Sequence, residues 1–93
     1  MLVSFADKET EIFWLTGDSR RFPADVKVRA FRKLQLLDAA ATLDFLRIPP
    51  SNHLEKLLGD RSNQYSIRVN QRWRICFVWK DGDAHEVEFL DYH

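Results

Sequence analysis

Asp91, Tyr92 and His93 put a carboxylate, a phenol and an imidazole in three consecutive positions after a strand-like segment. Imidazole is the side chain whose ordinary pKa lies nearest neutrality, so His93 can take or give a proton under working conditions. As the last residue of the sequence it also carries a carboxylate beside its ring, which favours the protonated form. Asp91 can orient that ring or act as a base itself, and Tyr92 can donate a hydrogen bond or stack on a flat ligand. The plain alternative is a tyrosine that packs down a chain end while its two neighbours face water, since chain ends fray and tolerate change.

The elements around this group decide what it can meet. Trp73, Ile75, Phe77 and Trp79 alternate with Arg72, Arg74, Cys76 and Val78, the period-two pattern of a strand. Asp81-Gly82 suits a tight hairpin turn with positive φ, and residues 84–90 supply the returning strand. Antiparallel pairing across that turn predicts that Asp91, Tyr92 and His93 come back beside Arg72 and Arg74. An earlier strand is predicted where Tyr65, Ile67 and Val69 alternate with Ser66, Arg68 and Asn70, with a turn near Asn70-Gln71 between the two. Arg74 then lies on the polar face, opposite Trp73 and Ile75 and alongside Arg72 and Cys76.

The first half of the chain reads differently. Leu2-Val3-Ser4-Phe5 predicts a short strand, and Asp7 an N-cap for a helix running to about Leu15, with Ile12, Phe13, Trp14 and Leu15 as its apolar side and Gly17 as its stop. Pro23 opens a second helix in which Val26, Ala30, Leu34 and Leu37 recur at helical spacing beside Phe31, with Lys27, Arg29, Arg32 and Lys33 on its polar sides. A short turn over residues 42–46 and the connection Ile48-Pro49-Pro50-Ser51-Asn52 follow. Helices first and an antiparallel meander afterwards predict an α+β fold: two N-terminal helices packed on a small, mainly antiparallel sheet, in a single domain over residues 1–93.

Composition narrows the function classes. A chain of 93 residues can bury one core without a metal or disulfide, and Trp14, Trp73 and Trp79 supply bulk for it. No apolar run reaches membrane-spanning length, and the first seven residues lack a secretory pattern. The single Cys76 and the scattered His53, His85 and His93 show no zinc-ligand spacing, so neither metal nor other cofactor is expected, and the expected compartment is a reducing cytoplasm. The formal net charge is zero, yet residues 20–74 hold twelve Lys/Arg against five Asp/Glu. Segregation of this kind gives a neutral protein a basic face, which attracts phosphate.

Several motifs together resemble one family. Leu54-Glu55-Lys56-Leu57-Leu58-Gly59-Asp60-Arg61, then Gln64-Tyr65-Ser66-Ile67-Arg68-Val69-Asn70, then Trp73-Arg74-Ile75-Cys76-Phe77 look like the HigB toxins of bacterial toxin–antitoxin systems. Gly82-Asp83-Ala84, Val87-Glu88 and the closing Asp91-Tyr92-His93 fit the same pattern, as do Arg32-Lys33-Leu34, Leu37-Asp38-Ala39-Ala40 and Pro49-Pro50. The resemblance covers nearly the whole chain, with its most specific motifs in the second half. It departs at two places: some relatives carry a histidine and a lysine shortly before the glycine of Gly-Asp-Arg, where this chain has Glu55 and Leu58.

What the resemblance implies is a RelE-like fold and a ribonuclease that cuts messenger RNA on the translating ribosome. It also implies a HigA-type helix-turn-helix antitoxin, through which alone the pair would reach operator DNA. Metal-free RNA cleavage needs a base for a ribose 2′-hydroxyl, a cation for the phosphate and an acid for the leaving oxygen. His93 is then the leading acid/base candidate, Asp91 its orienting or alternate base, Arg74 a two-bond phosphate holder and Tyr92 a stacking or hydrogen-bonding group. Lys56, Arg61, Arg68 and Arg72 are the RNA-binding candidates, with a structural pairing of Arg61 to Asp60 or Glu55 as the alternative. Glu55 is a further acid/base candidate, and Cys76 reads as a small strand residue. Arg20, Arg21, Lys27, Arg29, Arg32 and Lys33 are expected to face ribosomal RNA. Two other classes stay open. A ParE-like toxin would inhibit DNA gyrase without cutting nucleic acid, although its usual extension past the sheet is missing here. A degenerate toxin would retain only antitoxin and operator binding, which the Glu55 and Leu58 departures favour.

Overall fold

The structure, a computed structural model, describes residues 1–91. Helix α1 spans Lys8–Thr16 and α2 spans Ala24–Ala39. Short 3₁₀ turns follow at Leu43–Arg47 and Pro50–Asn52. The strands are β1 (Glu55–Lys56), β2 (Tyr65–Arg68), β3 (Trp73–Lys80) and β4 (Asp83–Asp91), with a further 3₁₀ turn at Gly59–Arg61 between the first two. They form an antiparallel sheet in the order β1-β2-β3-β4. The expected first strand is reduced to two parallel bridges, Leu2 with Ala84 and Phe5 with Val87. The sheet is therefore mainly, and not wholly, antiparallel, and the α+β architecture is the one expected.

The turns follow from local chemistry. Asp81 and Gly82 take φ of 55° and 78°, as a two-residue hairpin turn requires. Gly17 stops α1 in the left-handed region at φ 79° and donates its N–H to the Phe13 carbonyl. Asp7 occupies the N-cap position with extended backbone, but its side chain makes no capping hydrogen bond. Asn70 Oδ1 accepts from the N–H groups of Arg72 and Trp73, each at 2.8 Å, and so closes the β2–β3 turn. The register shifts between Cys76 and Val78 because β4 bulges there: Glu86 and Val87 together stand opposite Phe77, and Glu86 is a non-glycine at φ 50°.

The main core lies between the helices and one sheet face. Val26, Ala30, Leu34 and Leu37 are buried along α2 as the spacing predicts. In α1 the expected apolar side is wrong in detail: Phe13 is buried, Trp14 is half-buried, and Ile12 and Leu15 are exposed. A helix of nine residues can bury only a narrow stripe. Here the stripe also includes Thr10, whose hydroxyl accepts from the Phe89 N–H at 3.1 Å. That contact satisfies a strand donor beyond the last backbone bond from the N-terminal segment, made by Ala6 to Val87 at 3.0 Å. Phe13 meets Phe22, Phe31 and Phe89 at centroid distances of 5.5, 5.7 and 6.2 Å, and Trp73 meets Phe89 at 4.7 Å.

Candidate functional site

Strand register assigns each candidate to a face. Ser66 pairs with Cys76 and Arg68 with Arg74, while Cys76 and Arg74 pair with Glu88 and Leu90 across β4. Cross-strand partners share a face, so Glu55, Ser66, Arg68, Arg74, Cys76 and Glu88 all lie on the side away from the main core. Sequence alternation implied a polar face there, with Cys76 semi-buried in it. Instead Ser66, Arg74 and Cys76 are buried, and the segment that carries β1 meets this side at two points, the His53 carbonyl on Arg74 and the Arg61 side chain on Glu88.

Arg74 holds that segment down. Its Nε donates to Ser66 Oγ at 2.9 Å and one terminal nitrogen, Nη2, donates to the His53 carbonyl at 2.9 Å. The same Nη2 stands 3.8 Å from Glu55 Oε1. His53 presents that carbonyl from the left-handed region, at φ 45°. The Nε–Nη2 edge, the usual side-on fork for an oxyanion, is thus engaged within the protein. A phosphate reaching Arg74 meets its charge and not this edge.

The hairpin prediction holds for Asp91. Asp91 pairs with Trp73 in the β3–β4 ladder, and its Oδ2 accepts from Arg72 Nη2 at 2.5 Å. In register this puts Asp91 on the face of Trp73 and not on that of Arg74, whose partner is Leu90, so the expected approach of Asp91 is met at Arg72 and not on the Arg74 face. Tyr92 and His93 lie outside the described residues. The sheet thus brings Arg72, Arg74 and Asp91 to one end, with Arg68 beside Arg74.

The remaining candidates separate. Arg61 is tied at 2.9 Å to Gln64 Oε1 and at 3.2 Å to Glu88 Oε1, so its ion pair is with Glu88 and not with Asp60 or Glu55. It pins the Gly59–Arg61 turn onto β4. Lys56 is exposed on β1, an edge strand the sequence pattern did not reveal. Two residues are too few for alternation to register. Cys76 is fully buried, and burial pushes its thiol up to about 11, so it stays protonated and inert at neutral pH. His53 and Glu55 are exposed at the rim of the same side.

Comparison with known proteins fits this architecture. Residues 3–93 match the family described as the RelE-like toxin of type II toxin–antitoxin system HigB. Toxin HigB-1 of Vibrio cholerae serotype O1 is 42% identical over 94 residues, covering all of this chain and 98% of that protein. Endoribonuclease HigB of Proteus vulgaris is 33% identical over 93 residues, covering the full length of both. A protein from Haemophilus influenzae is 32% identical over 90 residues, covering 96% of this chain and 88% of its own. With this family match and these full-length relatives, on the two-helix, four-strand frame that positions Arg72, Arg74 and Asp91, the chain belongs to the HigB-like, RelE-like toxins of type II toxin–antitoxin systems.

Proposed function

We propose that this toxin is an endoribonuclease that cuts messenger RNA on the translating ribosome by metal-free attack of a ribose 2′-hydroxyl on the neighbouring phosphate. The observation that carries the reading is the hairpin register, which delivers Asp91 to Arg72 at the sheet end where Arg68 and Arg74 also stand. The relatedness to a protein named Endoribonuclease HigB supports the reaction class.

In this mechanism a base removes the 2′-hydroxyl proton, the 2′-oxygen bonds to phosphorus, and the bond from phosphorus to the 5′-oxygen breaks as an acid gives that oxygen a proton. His93 moves the proton, Asp91 orients its ring or acts as base, and Arg74 stabilises charge gathering on the phosphate. Tyr92 stacks on a base or donates to phosphate. Arg68 and Arg72 hold the strand at the same sheet end, and Lys56 and Arg61 extend the contact toward β1. Glu55, 3.8 Å from Arg74, is a second carboxylate within the reach of the same cation. A HigA-type helix-turn-helix antitoxin would neutralise the toxin in the cytoplasm and carry the pair to operator DNA.

Primer extension on a defined messenger RNA, with purified ribosomes, tests this. Cuts ending in 2′,3′-cyclic phosphate are expected, and His93→Ala should slow them by about 10²-fold or more. Products with a 3′-hydroxyl and a 5′-phosphate, or full activity in His93→Ala, would overturn the mechanism. Inhibition of gyrase supercoiling with intact messenger RNA would favour the ParE-like class.

A further inference from the structure

A cavity of about 560 Å³ opens between α2 and the end of β2, lined by Arg29, Arg32, Lys33, Ser51 and Arg68 among others, with no carboxylate in its wall. Two of its cations are braced on neutral acceptors. Arg29 Nη1 donates to the Val69 carbonyl at 3.4 Å, and Lys33 Nζ donates to Asn52 Oδ1. Asn52 is fully buried and is itself anchored, its Nδ2 donating to the Leu46 and Ile48 carbonyls at 3.1 and 3.3 Å.

Lys8, Lys27, Arg47, Arg61, Arg72 and Arg74 each have a carboxylate within ion-pair distance. Among the described residues no such pair includes Arg29, Arg32, Lys33 or Arg68. What sets these four apart is that they are gathered in one cleft: Arg20, Arg21, Lys56 and Lys80 also lie in no ion pair among the described residues, but none of them lines it. Burial and then the charge of Arg29 hold the Lys33 ammonium below the ordinary lysine range. Like charges gathered without a counter-ion repel one another, and an anion entering the cleft relieves that repulsion.

We propose that this cleft is a second phosphate subsite, seating a nucleic-acid phosphodiester separate from the one at Arg74. The inference rests on the reading of this chain as an RNA-cutting toxin and deepens it. Arg68 links the two places, since it lines the cleft and stands opposite Arg74 in the β2–β3 ladder. A strand whose scissile phosphate lies at Arg74 therefore needs only one cross-strand step to put another phosphate in the cleft. Guanidinium groups and a serine hydroxyl suit phosphate oxygens, and contacts of this type position an RNA without reading its sequence.

The test compares wild type, the double variant Arg32→Ala/Arg68→Ala, and Lys80→Ala at the far end of β3 as control. Arg32 and Arg68 are chosen because neither makes a side-chain hydrogen bond or ion pair among the described residues. The first arm measures anisotropy of a fluorescent, fully 2′-O-methylated oligoribonucleotide, which cannot be cut through its 2′-oxygen. The double variant should bind at least about 10-fold more weakly, with the salt slope reduced by about 1.4 for two lost single-strand contacts. Lys80→Ala should bind as wild type. The second arm measures co-sedimentation with ribosomes.

Loss in the first arm that Arg32→Ala alone also shows assigns the cleft to the substrate strand, and loss confined to the second assigns it to ribosomal RNA; both support a phosphodiester subsite. Unchanged binding in both arms overturns it, as does unchanged RNA binding with lost binding of a poly-glutamate peptide. If the double variant melts early, the single exposed change Arg32→Glu carries the same comparison. Wild type that binds the modified strand through the cleft but leaves unmodified messenger RNA intact on ribosomes sinks the nuclease reading and spares the subsite. Normal cleavage with no effect of the cleft variants does the reverse.

Discussion

The two faces of the sheet are held by different physics. On the helix side Phe13, Phe22, Trp73 and Phe89 pack ring against ring with no charged group among them. On the other side Ser66, Arg74 and Cys76 are just as deeply buried, yet an arginine and its hydrogen bonds organise them. Stability on the first face scales with apolar area removed from water. On the second it depends on whether each polar atom keeps its partner. The comparison teaches that a buried polar layer can be a structural scaffold and still carry a cation that the proposed function uses, whereas the aromatic layer only supports.

Substitutions can break or sharpen this contrast. Phe13→Ala should cost about 3–5 kcal/mol in urea unfolding by leaving a cavity among three rings. A loss no larger than that of a surface change would mean that the aromatic layer repacks freely. Arg74→Ala should cost about 1–3 kcal/mol for the buried Ser66 Oγ it orphans, and less for the part-buried His53 carbonyl, which water can reach. It should also lower cleavage in preparations shown to be folded, which Phe13→Ala should not. Ser66→Ala should cost about 1 kcal/mol and leave cleavage within a few fold. Should it abolish cleavage, Ser66 is part of the chemistry and not a brace. Glu88→Gln should cost less than about 1 kcal/mol, since Arg61 and Glu88 are partly exposed.

Much of the frame was legible in the sequence because strong local rules set it. The Asp81-Gly82 turn, the α2 stripe and the Gly17 stop need only neighbouring residues, and they appear as expected. The approach of Asp91 to Arg72 followed from one hairpin. What escaped were features created by distant segments. Alternation marks Arg74 as polar but cannot say that the His53 carbonyl will meet it. Charge counting found the basic middle of the chain, but not the cleft that α2 shares with Arg68 and Ser51. The exposure of Ile12 and Leu15 likewise depends on how little of α1 the sheet can reach.

The bridges from Leu2 and Phe5 to β4 have a consequence for how the molecule is made. β4 receives the N-terminal segment on one side and β3 on the other, and it contributes Ala84, Val87 and Phe89 to the core. It is also the last of the described elements to be synthesised. A nascent chain can bring α1 and α2 together with Ile67, Ile75 and Phe77 of β2 and β3, yet the core lacks Ala84, Val87 and Phe89 until β4 appears. Completion of the core thus waits for β4, and Asp91 takes its place beside Arg72 in the same step.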